Sequence, residues 1–476
     1  MTLHPMKAIF PIRQLLACLP LLLVTSALAQ GLPYEVENEL RRAHIPVKAT
    51  ATLVQQVDSR AALISMNLKA PFNPASTMKL VTTGAALDLL GPTFSWKTQA
   101  LATGKQLDGV LHGDLIFKGS GDPKFLMEDM WLFLRKIRAT GIREIRGNLV
   151  LDRSNFEDRP FDAAAFDGAP EKAYNAGPDA LLLNYAALQF SFAPNAAGNG
   201  VHVRLDPPLA DFTLAAPALS NGNCDGWKER LEADVSPHGA RFSGSYPANC
   251  GAMTWSMHPY RMNANDYFGA VFRQMWRDAG GTFRGAVISS TTPANAWPVT
   301  EWTSPLLPEI IRDINKFSNN VMARQLLLAI ALQHGAPAKP ERGAEAIKAW
   351  LAGKQIAAPE LTIENGAGLS RIARISAGTM GKMLQAIWRS PLMPEFISSL
   401  PLAGQDGTMR RRVQEMNVAG NAHIKTGALK EVRTIAGYVL AASGKSYVIV
   451  SFINHPNAAG GRSAQDALLE WVYQHG

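Results

Sequence analysis

A serine and a lysine three positions apart, Ser76-Thr77-Met78-Lys79, open a stretch over 76–90 that is apolar at helical spacing and stops at Gly91-Pro92. Residues i and i+3 share a helix face, so the Lys79 amine can reach the Ser76 hydroxyl. A serine is a weak nucleophile until a base takes its proton, and a lysine that is desolvated or set beside another cation can serve. The helix N-terminus adds partial positive charge where an oxyanion would form. Lys425-Thr426-Gly427 lies in a strand-like segment over 423–428. A lysine, a hydroxyl and a glycine on one strand edge can hold a carboxylate, with glycine letting a substrate backbone come close. The next amide, at Ala428, can supply a second oxyanion donor. Ser318-Asn319-Asn320 falls where two helical stretches meet. A break there presents Ser318 as a proton relay and Asn320 as a hydrogen-bonding partner for a substrate amide. Taken singly, each segment also has a structural reading. Ser76 and Ser318 fit as helix N-caps, with Lys79 solvated, and Lys425-Thr426-Gly427 fits as a strand-end turn.

These residues need scaffolding from both ends of the chain. The pattern predicts a short helix over 34–43, strands over 51–57 and 61–68, and the helix that begins at Ser76. From about 94 the texture changes to short strands broken by Gly, Asp and Pro, with helices over 126–140 and 265–278. Residues 188–254 read almost wholly as strand and turn. Helices are predicted over 307–317, 318–334, 341–353 and 377–389, then strands over 423–426, 434–441 and 446–454, and a last helix over 464–474. Strands at both ends flanking a helical block predict one α/β domain whose sheet uses both termini, with the β-rich middle inserted as a separate unit.

Composition narrows the function. The chain has 476 residues, which at about 150 per domain predicts two or three domains. Lys and Arg number 47 against 39 Asp and Glu, a surplus too small for a nucleic-acid footprint but suited to a polyanionic surface or an acidic substrate. Lys7 and Arg13, the apolar run 15–23 and Ala27-Leu28-Ala29 predict an export signal over 1–29. Leu15-Leu16-Ala17-Cys18 loosely fits a lipoprotein cleavage site, but the apolar stretch continues past Cys18. Beyond it no apolar run can span a bilayer, which leaves peripheral contact as the membrane role open to the mature chain. Cys224 and Cys250 then remain, and an oxidising compartment favours a disulfide between them; their spacing matches no zinc site. No H-E-x-x-H motif, Cys/His cluster or EF-hand loop occurs, so neither metal nor cofactor is implied. His258 and His423 read as structural.

S-x-x-K, S-x-N and K-T-G in this order and context are the signature of penicillin-recognising serine enzymes. The whole chain resembles the type-4 class of penicillin-binding proteins, D-alanyl-D-alanine carboxypeptidases and endopeptidases of the bacterial cell envelope. Gly366-Ala367-Gly368-Leu369-Ser370-Arg371 resembles that family's G-S-G-L-S-R segment. Leu400-Pro401-Leu402-Ala403-Gly404 with Asp406-Gly407-Thr408 resembles the stretch before K-T-G. Gly121-Asp122-Pro123 and Cys224-Asp225-Gly226-Trp227 look like pieces of its inserted domains. Ser76 and Ser318 lie 242 positions apart, and the large insertion this implies is a feature of the family.

The resemblance implies a β-lactamase/transpeptidase-like domain, an antiparallel sheet with helices on both faces, over 30–95 and 300–476. Inserted domain II would span 96–185 and 263–299, and a β-rich domain III 186–262. It implies an acyl-enzyme on Ser76 with Lys79 as base, and Ser318 and Lys425 as the proton route to the leaving amine. Amides of Ser76 and Ala428 would form the oxyanion hole, Asn320 would hold the acyl-side peptide, and Thr426, beside Gly427, the terminal carboxylate. Arg371 would help form a pocket for the free end of the peptide stem, with Asp167 as the aspartate candidate. Peptidoglycan stem peptides would be substrates, β-lactams covalent inhibitors, and the periplasm the location. Ala428 and Ala367 depart from the family's hydroxyl residues, which bears on substrate preference. A serine β-lactamase and a non-catalytic peptidoglycan-binding envelope protein are the rival readings.

Overall fold

The computed structural model describes residues 1–2 and 31–476; the export signal expected over 1–29 falls almost wholly outside them. Strands from the two ends of the chain form one antiparallel sheet in the order Ala422–Leu429, Val432–Leu440, Ser446–Asn454, Thr50–Gln56, Ala62–Met66. Side chains alternate across a strand, and both faces of this sheet are covered. On Ser446–Asn454, Val448, Val450 and Phe452 enter one apolar core while Ile449 and Ile453 enter the other. Leu53 and Val54 divide the same way. One core receives the helices Met78–Leu90, Leu307–Phe317, Asn320–Leu332 and Ala377–Trp388. The opposite core receives Tyr34–Arg42 and Arg462–His475 through Val36, Leu40, Leu468 and Leu469.

Met78–Leu90 is buried on every side from Met78 to Leu87. A helix apolar all round belongs in an interior, and this one carries Lys79 there. The helix expected over 318–334 instead begins at Asn320. Ser318 adopts a left-handed conformation (φ 57°, ψ 38°) that ends Leu307–Phe317, and the Asn319 side chain caps the next helix by accepting from the Met322 N–H at 3.1 Å. The helix Met393–Ser399 was not anticipated, since seven residues are too few to show a helical period.

The long insertion holds the remaining sheets. A five-stranded sheet runs Val287–Ser289, Leu149–Asp152, Leu115–Lys118, Lys97–Ala102, Trp297–Thr303. Phe117 of this sheet meets Phe133 of the helix Met127–Ala139 and Phe268 and Phe272 of Ala264–Asp278. Residues 188–257 add a three-stranded sheet and a second sheet centred on Gly239–Pro247. A single apolar cluster runs from Phe117 and Leu149 through Phe190 to Trp227, Phe242 and Tyr246, so the two expected inserted domains share one interior. Cys224 and Cys250 are joined as a disulfide, and Trp227 packs edge-on against Phe192 and Tyr246 nearby. Among the described residues no helix is long and apolar enough to cross a membrane.

The disulfide closes a loop with a sequence separation of 26. In the chain-entropy account such a link stabilises by about 3 kcal/mol. The double variant Cys224→Ser/Cys250→Ser is expected to lower the urea midpoint of the inserted unit, followed by Trp fluorescence, while leaving far-UV circular dichroism intact in water. An unchanged midpoint contradicts a stabilising role.

Candidate active site

Ser76 is placed by a loop tied down from three directions. The Asn73 N–H donates to Asn454 Oδ1 at 2.8 Å, Asn454 Nδ2 donates back to the Asn73 carbonyl at 3.1 Å, and Asn73 Nδ2 donates to the Ser370 carbonyl at 2.9 Å. The Pro74 carbonyl accepts from both Thr77 Oγ1 and Thr434 Oγ1, at 2.7 and 2.8 Å. Ala75 is held at φ 45°, with its N–H bonded to Asn73 Oδ1 at 2.9 Å. A positive φ at a non-glycine residue costs about 1–3 kcal/mol and persists only where the surroundings over-determine it. Ser76 therefore sits in the 3-10 turn Ala75–Thr77, half-buried, rather than serving as a side-chain cap of Met78–Leu90.

Lys79 is fully buried. Its Nζ lies 2.6 Å from Asn320 Oδ1, 2.6 Å from the Ala367 carbonyl and 3.1 Å from Ser76 Oγ. Burial, then the charges of Lys425 and Arg324, hold its pKa well below the usual lysine range. A neutral amine has two N–H groups and one lone pair. Asn320 Oδ1 and the Ala367 carbonyl can only accept, so they take the two N–H groups. The lone pair is left for the Ser76 hydroxyl. The contact at residue 367 uses only a carbonyl, so alanine there supplies it as well as any residue.

Lys425 is also fully buried, and burial pushes its pKa down to about 7. Its Nζ donates to Ser318 Oγ at 2.9 Å and to the Thr426 carbonyl at 2.7 Å. The left-handed turn at Ser318 is what brings that hydroxyl to Lys425.

Ala422–Leu429 is the edge strand of its sheet. In an antiparallel pair alternate residues bond to the neighbour and the others face outward. The Ile424 N–H faces outward, bonding to Pro401 at 2.8 Å. Thr426 and Ala428 have the same parity, so their backbone groups face the open edge. Gly427 lies between them because nothing larger fits: a Cβ there would stand 2.2 Å from Thr434 Oγ1 and 2.9 Å from both the Pro74 carbonyl and the Ser76 nitrogen. The close approach sets the Ser76 amide beside the strand edge that presents the Ala428 amide. The Thr426 hydroxyl donates to Thr408 Oγ1 at 2.8 Å. Thr408 belongs to the turn Gly407–Met409, preceded by Asp406, which pairs with buried Lys316 at 2.5 Å.

Arg371 lies apart from this cluster, its guanidinium 4.5 Å from the Phe166 ring centroid. Both line a cavity of about 500 Å³ with Asp162, Arg324 and Glu364. Asp167 does not line it. Its carboxylate accepts from Tyr174 Oη at 2.8 Å, Asn175 Nδ2 at 2.7 Å and the Ala169 N–H at 3.2 Å, closing its own Asp-Gly turn. The carboxylates at the cavity wall are Asp162 and Glu364. Sequence reasoning missed Arg324, one helical turn beyond Asn320. It is buried, its Nη1 donates to the carbonyls of Ala176 at 2.6 Å and Tyr174 at 3.1 Å, and burial lowers its pKa to about 10. The only signal was a charge inside an otherwise apolar helix. His258 is turned inward, Nδ1 on the Ala186 carbonyl at 2.8 Å. Among the described residues no cluster of three or more His, Cys, Asp or Glu could hold a metal ion.

Residues 32–475 match the model of the D-Ala-D-Ala carboxypeptidase 3 (S13) family. The chain is 27% identical over 392 residues to the D-alanyl-D-alanine carboxypeptidase DacB of Haemophilus influenzae, covering 80% of each. It is 27% identical over 413 residues to the D-alanyl-D-alanine carboxypeptidase of an Actinomadura species, covering 83% of this chain and 76% of the relative. The fold matches the crystal structure of penicillin-binding protein 4 of H. influenzae with a TM-score of 0.78 at 23% identity, over 93% of this chain and all of the other. The same protein complexed with a novel β-lactam matches with a TM-score of 0.74.

Two buried lysines with lowered pKa values are open to direct observation. In ¹³C NMR of lysine side chains, Lys425 is expected to titrate near 7, and Lys79, which also feels the Lys425 charge, to titrate well below the usual lysine range. Lys425→Met should raise the Lys79 midpoint. Midpoints near 10 for both would contradict the electrostatic account.

Proposed function

The chain belongs to the D-Ala-D-Ala carboxypeptidase 3 (S13) family of serine peptidases, and from that premise we propose that Ser76 cleaves D-Ala-D-Ala peptides of peptidoglycan through an acyl-enzyme. The observation that carries this is the Lys79 geometry: two acceptors take its N–H groups and leave its lone pair for Ser76 Oγ at 3.1 Å.

The chemistry balances within the cluster. Ser76 Oγ bonds to the carbonyl carbon of the penultimate D-alanine as Lys79 takes its proton. Negative charge grows on the carbonyl oxygen between the Ser76 and Ala428 amides, which donate to it. The C–N bond breaks, and a proton reaches the departing amine through Ser318, which Lys425 holds at 2.9 Å. Water then adds to the ester carbon, the acid leaves, and Ser76 regains its proton. Asn320 gives its Oδ1 to Lys79, so its NH₂ group is the part available to an acyl-side amide. Thr426 and Lys425 supply a hydroxyl and a charge for the terminal carboxylate. Arg371, at the cavity wall, holds the free end of the stem.

β-Lactams, which carry a strained amide and a carboxylate, acylate the same serine in this reading; a β-lactam complex of the fold relative supports it. The basic, apolar and small-residue order of the first 29 positions supports export, and a peptidoglycan substrate supports a periplasmic location.

Wild-type protein is expected to release D-alanine from a pentapeptide muropeptide, read by chromatography, whereas Ser76→Ala and Lys79→Met fall by about three orders of magnitude or more, as for loss of a nucleophile or its base. Turnover by Ser76→Ala at the wild-type rate would overturn the assignment. The pH profile of kcat/KM carries the signs. The rate rises as Lys79 loses its proton and falls as Lys425 loses its own near 7. A profile rising only near 10 would mean that neither lysine acts as described.

A further inference from the structure

We propose that Arg324 is a positioning residue for acylation: it fastens the helix Asn320–Leu332 to the inserted region and, from one turn beyond Asn320, sets a fixed positive charge beside the Lys79 amine. The inference rests on Lys79 being the base for Ser76.

This helix governs both acceptors that orient Lys79. Asn320 is its first residue, and its Oδ1 lies 2.6 Å from Lys79 Nζ. The Ala367 carbonyl, also at 2.6 Å, belongs to a segment that rests on the same helix. A Cβ on the neighbouring Gly366 would stand 3.0 Å from Leu327 Cβ and 3.2 Å from the Ala323 carbonyl oxygen. A shift of the helix therefore moves both acceptors and turns the Lys79 lone pair away from the Ser76 hydroxyl.

The inserted region fixes the helix at three points. Val321 packs with Ala176 and Leu182. Gln325 Nε2 donates to the Asp179 carbonyl at 2.7 Å, and its Oε1 accepts from the Asp179 N–H at 3.0 Å. Arg324 Nη1 donates to the carbonyls of Ala176 at 2.6 Å and Tyr174 at 3.1 Å. Residues four apart share a helix face, so Arg324 ties down the side of the helix from which Asn320 reaches Lys79.

An uncharged side chain would make that tie at lower cost. Arg324 is 6% exposed, and its buried Nε–H meets no acceptor among the described residues. Burying an unpaired donor and a charge costs free energy. Burial lowers its pKa only to about 10, so the guanidinium stays charged at neutral pH. That charge, with Lys425 from the strand Ala422–Leu429, opposes a proton on Lys79. Ser76, Asn320 and the Ala367 carbonyl present neutral groups to the amine, and Glu364, exposed at the cavity wall, offsets part of the Arg324 charge. The same residue thus fixes the direction of the lone pair and helps keep it free of a proton.

The test is the pH profile of acylation by benzylpenicillin, read by mass spectrometry of the full protein, for wild type, Arg324→Gln and Arg324→Lys. Glutamine keeps a donor for the loop and loses the charge; lysine keeps a donor and the charge. Removing the cation raises the Lys79 pKa. The rising limb for Arg324→Gln is therefore expected about one pH unit higher, which is about tenfold slower acylation on its acid side. Arg324→Lys is expected to keep the limb at the wild-type pH and to lose only part of the rate. Equal losses in both variants with an unmoved limb would make Arg324 a structural tie alone, and unaltered profiles in both would make it dispensable; either result overturns the proposal. Where Arg324→Gln does not fold, Arg324→Lys decides: a limb at the wild-type pH supports the proposal and a displaced limb overturns it. Wild-type protein that forms no adduct at any pH overturns the Ser76 and Lys79 assignments together with this inference.

Discussion

The arrangement depends on burying two lysine amines without giving either a carboxylate partner. Lys79 and Lys425 are both fully buried, and among the described residues neither forms an ion pair. Holding an ammonium in such surroundings costs several kcal/mol, so burial lowers both pKa values, that of Lys425 to about 7. Each amine is then defined by its acceptors. The Asn320 and Ala367 oxygens orient Lys79, and the Ser318 hydroxyl and Thr426 carbonyl orient Lys425. An acid placed near Lys79 would pair with it and keep it charged.

Much of the surrounding structure keeps those amines dry and the serine within reach. Met78–Leu90 is apolar on all sides and sits in the larger core. The Ser76 turn cannot drift, because Asn73 and Asn454 hydrogen-bond each other reciprocally and the Pro74 carbonyl is held twice. Ala75 is kept in a left-handed conformation by the same contacts. Strain is accepted there and at Ser318, the two places where a hydroxyl must be aimed at an amine. The Lys425 strand approaches so closely that only glycine fits at 427. The long insertion is tied to this cluster through Arg324 of the helix Asn320–Leu332, whose guanidinium holds the carbonyls of Tyr174 and Ala176.

The motifs were legible because each sits where local sequence rules place it. Helical spacing set Lys79 one turn from Ser76, and β-type residues around Lys425 and Val450 gave the strands. The insertion showed as a change in texture near residue 94. Other features depend on contacts far apart in sequence. Asn73 and Asn454 meet across 381 positions, and Arg324 reads only as a misplaced charge until the 174–176 loop is seen against it. Asp167 illustrates the opposite error. Its neighbour Phe166 does face the cavity, but a short Asp-Gly turn consumes the carboxylate locally, and Asp162 and Glu364 stand at the wall. The helix expected from 318 starts two residues late, because Asn319 caps better from outside than Ser318 continues from within.

The central claim is that one serine, activated by a neutral lysine, forms a covalent acyl bond. Peptide-mapped mass spectrometry of the protein mixed with benzylpenicillin tests it most directly. The account predicts a single penicilloyl adduct on the peptide that contains Ser76, forming faster as pH rises from the acid side. An adduct on another residue, or no adduct with the drug unchanged, would contradict it. Rapid drug hydrolysis with no lasting adduct would instead mean that deacylation is fast, and that the site works as a β-lactamase.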